Sequence, residues 1–195
     1  MAYDLILRGG RVIDPSQSID ERLDVAFAGG KVAALGPELK AAPQTRIRDV
    51  SGLIVTPGLI DLHTHVYWGG TSLGIDAEAF CRKSGVTTSV DTGSAGPGNF
   101  AGFRKHVIEP SAVRILAYLH VSHAGIFGFS RDVQVGESED IRLMDPIGAA
   151  RVAADNPDII IGIKVRVGRH ASGDQGVTPT FRVTSLKEGA KPGAR

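Results

Sequence analysis

Thr56-Pro57-Gly58-Leu59-Ile60-Asp61-Leu62-His63-Thr64-His65 sets two imidazoles two residues apart at the end of a run of apolar strand formers. In a strand, residues i and i+2 project from the same face, so His63 and His65 can grip one divalent cation from a single short piece of rigid backbone. Such pairs also occur on ordinary surfaces and in ordinary cores, so the context has to decide. Leu53, Ile54 and Val55, then Leu59 and Ile60, make the near-continuous apolar run of a strand buried on both faces of a parallel sheet. Histidines that end such a strand sit where α/β folds place their chemistry. Asp61 shares their face one layer deeper, where a carboxylate can orient an imidazole from behind without being a ligand itself.

Upstream of this stretch, short apolar runs alternate with turn residues: Tyr3 to Arg8, Gly9-Gly10, Arg11 to Ile13, Asp14-Pro15, Leu23 to Phe27, Gly29-Gly30, and Lys31 to Leu35. That punctuation predicts a small antiparallel, sandwich-like β domain over residues 1–52. Downstream the rhythm becomes strand, loop, helix, strand. Leu53 to Leu62, Thr87 to Val90, Arg114 to Val121 and Ile159 to Val167 read as four strands. Asp76 to Ser84 reads as a helix stopped by Gly85, Asn99 as the cap of a helix broken by Pro110, and Asp145-Pro146 as the start of a third helix. Strands alternating with helices imply a parallel sheet, and the domain is set at residues 53–179.

The composition fits a soluble α/β protein that acts on small molecules. With 22 Lys plus Arg against 21 Asp plus Glu, no net field steers the chain onto nucleic acid or an anionic membrane. No apolar run approaches the ~20 residues that cross a bilayer. A single cysteine, Cys81, and a start without a secretory signal are read as a cytoplasmic setting.

From Pro57 to His65, from Gly85 to Gly93 (GVTTSVDTG) and from Gly162 to Gly168 (GIKVRVG), the chain resembles the amidohydrolase superfamily, and within it the dihydroorotase-like amidohydrolase/deacetylase branch. The resemblance covers roughly residues 3–179. It implies a partial (β/α)8 barrel of the TIM type, the first four strands, preceded by the small β domain. On residue types alone Gly162, Lys164 and Arg166 are one face of an amphipathic strand with solvated cations. The resemblance implies instead that Lys164 is carboxylated on its amine and bridges two divalent metals, expected to be zinc, with His63 and His65 as further ligands. A free lysine, with pKa ~10.4, would repel a dication, whereas its carbamate offers two anionic oxygens. The implied chemistry is attack of a metal-bound hydroxide on the amide, cyclic amide or ester bond of a small N-acyl substrate.

The family completes such a site with histidines ending strands five and six and a proton-shuttling aspartate ending strand eight, positions that the 195 residues do not contain. No catalytic residue is therefore assigned. A complete barrel takes about 250 residues, so the rival expectation is a non-catalytic remnant, and a second copy or a complementing second-half chain becomes a candidate partner. Thr180 to Arg195 reads as a tail without apolar period. Asp91, ahead of the glycine-rich loop Thr92 to Gly98, either lines the mouth of the site or is a turn acid. That loop lacks the Lys-Ser/Thr pair of a phosphate cradle. Of the two histidines flanking the end of the third strand, His123 rather than His120 is expected near the metals or substrate.

Overall fold

The computed structural model describes residues 2–181, so the expected tail lies almost wholly outside the described residues, although 178–181 begin a helical turn. The chain divides into two compact units, Met1–Gly58 and Leu59–Arg195.

The first unit is one five-stranded sheet built from β1 (Leu5–Asp14), β2 (Ile19–Ala28), β3 (Lys31–Gly36), β4 (Arg46–Asp49) and β5 (Ile54–Val55). It is mixed rather than wholly antiparallel: β1 pairs antiparallel with β2 but parallel with β4 and β5. Gly9-Gly10, expected as a turn, lies inside β1. Gly9 takes φ +76°, and the register shifts between Leu7 and Gly10, the signature of a bulge. The buried Asp24 fastens that bulge, accepting hydrogen bonds from the N–H groups of Gly9 (2.9 Å) and Leu39 (3.0 Å).

The apolar run from Leu53 to Leu62 is two strands, not one. Ile54 and Val55 pair with Arg11 and Val12 of the first unit, and the second unit starts at Leu59 instead of Leu53. Pro57 supplies the reason, because it has no N–H for a ladder and fixes its own φ, so the chain leaves one sheet before it enters the next.

The second unit carries a parallel sheet whose strands lie in chain order: β6 (Leu59–Thr64), β7 (Val86–Thr92), β8 (Arg114–His120) and β11 (Ile160–Lys164). A two-stranded hairpin, β9 (Gly128–Phe129) with β10 (Gln134–Val135), precedes the last of them. Helix α1 (Ala77–Ser84) is capped by Asp76, whose carboxylate accepts from the N–H groups of Glu78 and Ala79, and it ends at Gly85 with φ +73°. Helix α2 (Phe100–Phe103) runs on as a π turn through Ile108. Asn99 does not cap it as expected. Its side chain instead accepts from Gly96 N–H and donates to Ala124 O, knitting two loops together. Helix α3 (Pro146–Asp155) opens on Asp145, which accepts from Gly148 N–H at 2.8 Å.

One face of this sheet packs on the helices. Ile115, Ala117 and Leu119 of β8 meet Phe100, Phe103, Ala149, Ile159 and Ile160 in a single buried cluster. Ile161 and Ile163 are 48% and 38% exposed; β11 is an edge strand, and a register shift between Ile160 and Gly162 hands the core contact to Ile160. On the opposite edge Ile60 and Leu62 are also exposed. Among the described residues no helix is long and apolar enough to cross a membrane.

Phe103 is fully buried, with its ring stacked on Tyr67 at 4.6 Å. Phe103→Ala is expected to cost about 3–5 kcal/mol in urea unfolding; a loss under about 1 kcal/mol would show that the helix layer is not closed around this ring.

Candidate metal centre

The strand ends of the parallel sheet carry the predicted ligands, and the charge of Lys164 reaches His65. His65 is half-buried, and its Nδ1 lies 2.9 Å from Ser94 Oγ, so Nε2, with only Thr92 Oγ1 at 3.5 Å, is the nitrogen left for a cation. His63 is exposed, its ring centroid 5.7 Å from that of His65 in an edge-to-face arrangement. Burial pushes the His65 pKa down; Asp91 opposes this, and the charges of His63, Lys164 and Arg166 add to the lowering. A ring kept neutral at pH 7 is the form that ligates a metal.

Lys164 ends β11 opposite His120 of β8. Its stem passes over Gly93, where φ is +91° and a Cβ would lie 2.7 Å from Lys164 Cγ and 3.3 Å from His120 Cδ2. Glycine at 93 is therefore required twice, for its backbone and for the path of the lysine. His65, which burial holds toward its neutral form, and His63 at the same strand end are residue types that suit a divalent metal. Among the described residues no group of three or more His, Cys, Asp or Glu gathers as a metal cluster.

His63 and His65 border a pocket of about 470 Å³ lined also by Asp61 and Arg166, with Leu73, Ile75, Phe80, Ile126 and Phe129 as apolar walls; Lys164 is not among its lining residues. A wider groove of about 720 Å³, bounded by Tyr67, Trp68, Asp76 and His106, holds none of the predicted ligands.

No family model matches the chain. A deacetylase of Agrobacterium fabrum is 41% identical over 157 residues, covering 80% of this chain and 38% of the relative. The crystal structure of a dihydroorotase superposes with a TM-score of 0.81 at 34% identity, over 96% of this chain and 49% of that one. An adenine deaminase structure, at 23% identity, shares the fold with a TM-score of 0.77 over 96% of this chain and 48% of its own. The chain belongs to the amidohydrolase superfamily. It spans less than half the length of the curated relative and about half that of the solved structures.

As an amidohydrolase, the chain departs from its sequence reading at three side chains. Asp61 accepts from the backbone N–H of His63 at 2.9 Å, so it fixes the strand rather than an imidazole ring. His123 is exposed and points to α3: its Nδ1 lies 3.0 Å from Asp145 Oδ2, and its backbone N–H donates to Leu143 O. The histidine beside Lys164 is His120, fully buried, with Nδ1 accepting from Ser122 N–H at 2.8 Å. β8 ends at His120, so the next three residues turn away into the loop and carry His123 with them.

Asp91 is a turn acid, as one of its two readings had it, and it also reaches a second loop. Fully buried, its carboxylate accepts from Val66 N–H (2.8 Å), Gly93 N–H (3.1 Å) and Ser94 N–H (2.7 Å). It thereby joins the loop carrying His65 to the loop carrying its partner Ser94.

Glu137 escapes the sequence reading altogether. It is 1% exposed and lies between Arg166, whose Nε is 2.7 Å from Oε1 and whose Nη2 donates to Oε2 at 3.1 Å, and His120, whose Nε2 is 3.6 Å from Oε1. Burial raises the Glu137 pKa, but the adjoining His120 ring and the Arg166 charge outweigh it and hold the carboxyl below its ordinary value. No local pattern signals Glu137, because its partners come from β8 and from the segment after β11.

Asp91→Ala leaves three buried N–H groups without an acceptor and is expected to cost about 3 kcal/mol or more, with Asp91→Asn losing less because one acceptor oxygen survives. Urea midpoints of the two variants check this; equal, small losses would remove Asp91 from the centre of the site.

Proposed function

We propose that the chain contributes the metal-binding half of a hydrolase that cleaves a carbon–nitrogen bond, amide or cyclic amide, or an ester, of a small N-acyl substrate. The single observation carrying this reading is the pairing of His63 and His65 at one strand end, ring centroids 5.7 Å apart, within reach of the Lys164 charge. In it, the four parallel strands are the first four of a (β/α)8 barrel, an order supported by the half-length superposition on the dihydroorotase.

His63 and His65 would ligate through neutral imidazoles, Ser94 fixing the ring of His65. Lys164, as its carbamate, would bridge two zinc ions. When bound, the metals supply a hydroxide at neutral pH and polarise the substrate carbonyl. The apolar walls Leu73, Ile75, Phe80, Ile126 and Phe129 would take the acyl or side-chain part of the substrate and keep bulk water from the reacting bond.

One observation favours a second reading. Both edge strands of the sheet are open, β6 with exposed Ile60 and Leu62 and β11 with exposed Ile161 and Ile163, and open apolar edges seek partners. In this reading the 195 residues turn nothing over alone, and a second copy or a complementing chain closes the sheet.

The test is zinc content per purified chain together with hydrolysis of N-acetyl amino acids, before and after chelation. The hydrolase reading expects near-stoichiometric zinc and turnover abolished by chelator, with His63→Ala and Lys164→Ala each lowering both by at least about a hundredfold, the upper end of what even outer-shell partners cost. Turnover that survives chelation sinks it. Zinc without turnover, and turnover gained on adding a second-half chain, would establish the second reading.

A further inference from the structure

Arg166 is the group that makes the pocket a poor host for cations. It follows Lys164 by two residues and lines the same cavity as His63 and His65, where its charge already reaches His65. A guanidinium stays charged at every accessible pH, so its repulsion of an arriving dication has to be cancelled by a fixed anion.

The candidate for that anion is Glu137. The carboxylate meets Arg166 at two points, 2.7 and 3.1 Å, while the guanidinium carbon rests 5.7 Å from the centre of the Phe129 ring. The loop bearing it is anchored by Ser138 N–H donating to Ala171 O at 2.9 Å, so the carboxylate is held by backbone as well as by charge. Glu137 Oε1, Arg166 Nε and His120 Nε2 are buried and close, yet none makes an aligned hydrogen bond. Contacts of that kind balance charge better than they satisfy donors. A buried ion pair is a weak source of stability, since apolar replacements of similar volume are often as stable, which leaves its presence here to be explained by the pocket it borders.

We infer that Glu137 is a positioning residue, which draws Arg166 back against Phe129 and cancels its charge so that the pocket at His63 and His65 accepts divalent metal. The inference rests on the metal reading proposed above. Without Glu137, Arg166 is free to swing toward the ligands and occupy with its own charge the space a cation would take.

The test uses the full chain and zinc itself, measured by equilibrium dialysis in bicarbonate buffer, with the ¹³C signal of a lysine carbamate recorded in ¹³C-bicarbonate. Glu137→Gln is expected to weaken zinc binding at least tenfold and to diminish the carbamate signal. Adding Arg166→Met to Glu137→Gln restores zinc binding toward that of the unaltered chain, and Glu137→Asp falls between, a pattern that a merely structural staple would not produce. Unchanged zinc affinity in Glu137→Gln, or no recovery in the double variant, overturns the inference while leaving the metal reading intact. An unaltered chain that takes up no zinc overturns both. Should Glu137→Gln fail to fold, Arg166→Met alone decides: zinc binding at least as tight as in the unaltered chain supports the role of Glu137, and a tenfold loss defeats it.

Discussion

A carboxylate with no access to water holds this site together. Asp91 receives three backbone N–H groups, one from the loop after β6 and two from the loop after β7, and each of those loops carries half of the His65–Ser94 contact. Buried N–H groups must find acceptors, and a fixed carboxylate can serve several at once. The strand ends are thus tied to each other independently of any metal, and an imidazole placed this way is oriented before a cation arrives. Preorganisation of this kind reduces the ordering cost of binding.

Steric economy does the rest. Gly93 leaves just enough room for the stem of Lys164 to pass, and its φ of +91° suits glycine. His120 pairs beside Lys164 across the sheet, and Glu137 lies against His120 and Arg166. The sheet that presents these groups is open at β6 and β11, and the exposed isoleucines and leucine along those edges show how incompletely four parallel strands bury themselves.

Much of the fold was legible in short-range chemistry. Asp76 and Gly85 bracket α1, Asp145-Pro146 opens α3, and the apolar periods mark β7, β8 and β11 within a few residues. Where the reading failed, a longer-range demand overrode the local one. Ile54 and Val55 joined the first sheet because β1 offered them a parallel partner, and Gly9-Gly10 became a bulge because β2 continues past it. Asn99 gave up its cap for two loop contacts.

The sequence by itself determined that the chain is α/β with a small β unit ahead, that its family is the amidohydrolases, and that His63, His65 and Lys164 are the groups to watch, because side-chain period and strand-end position are local properties of the backbone. Only the tertiary structure decided that His120 and not His123 stands beside Lys164, that Asp91 serves the backbone, and that Glu137 faces Arg166. Those outcomes depend on which loops meet once the strands are paired, and pairing joins residues too far apart in the chain for any local pattern to record.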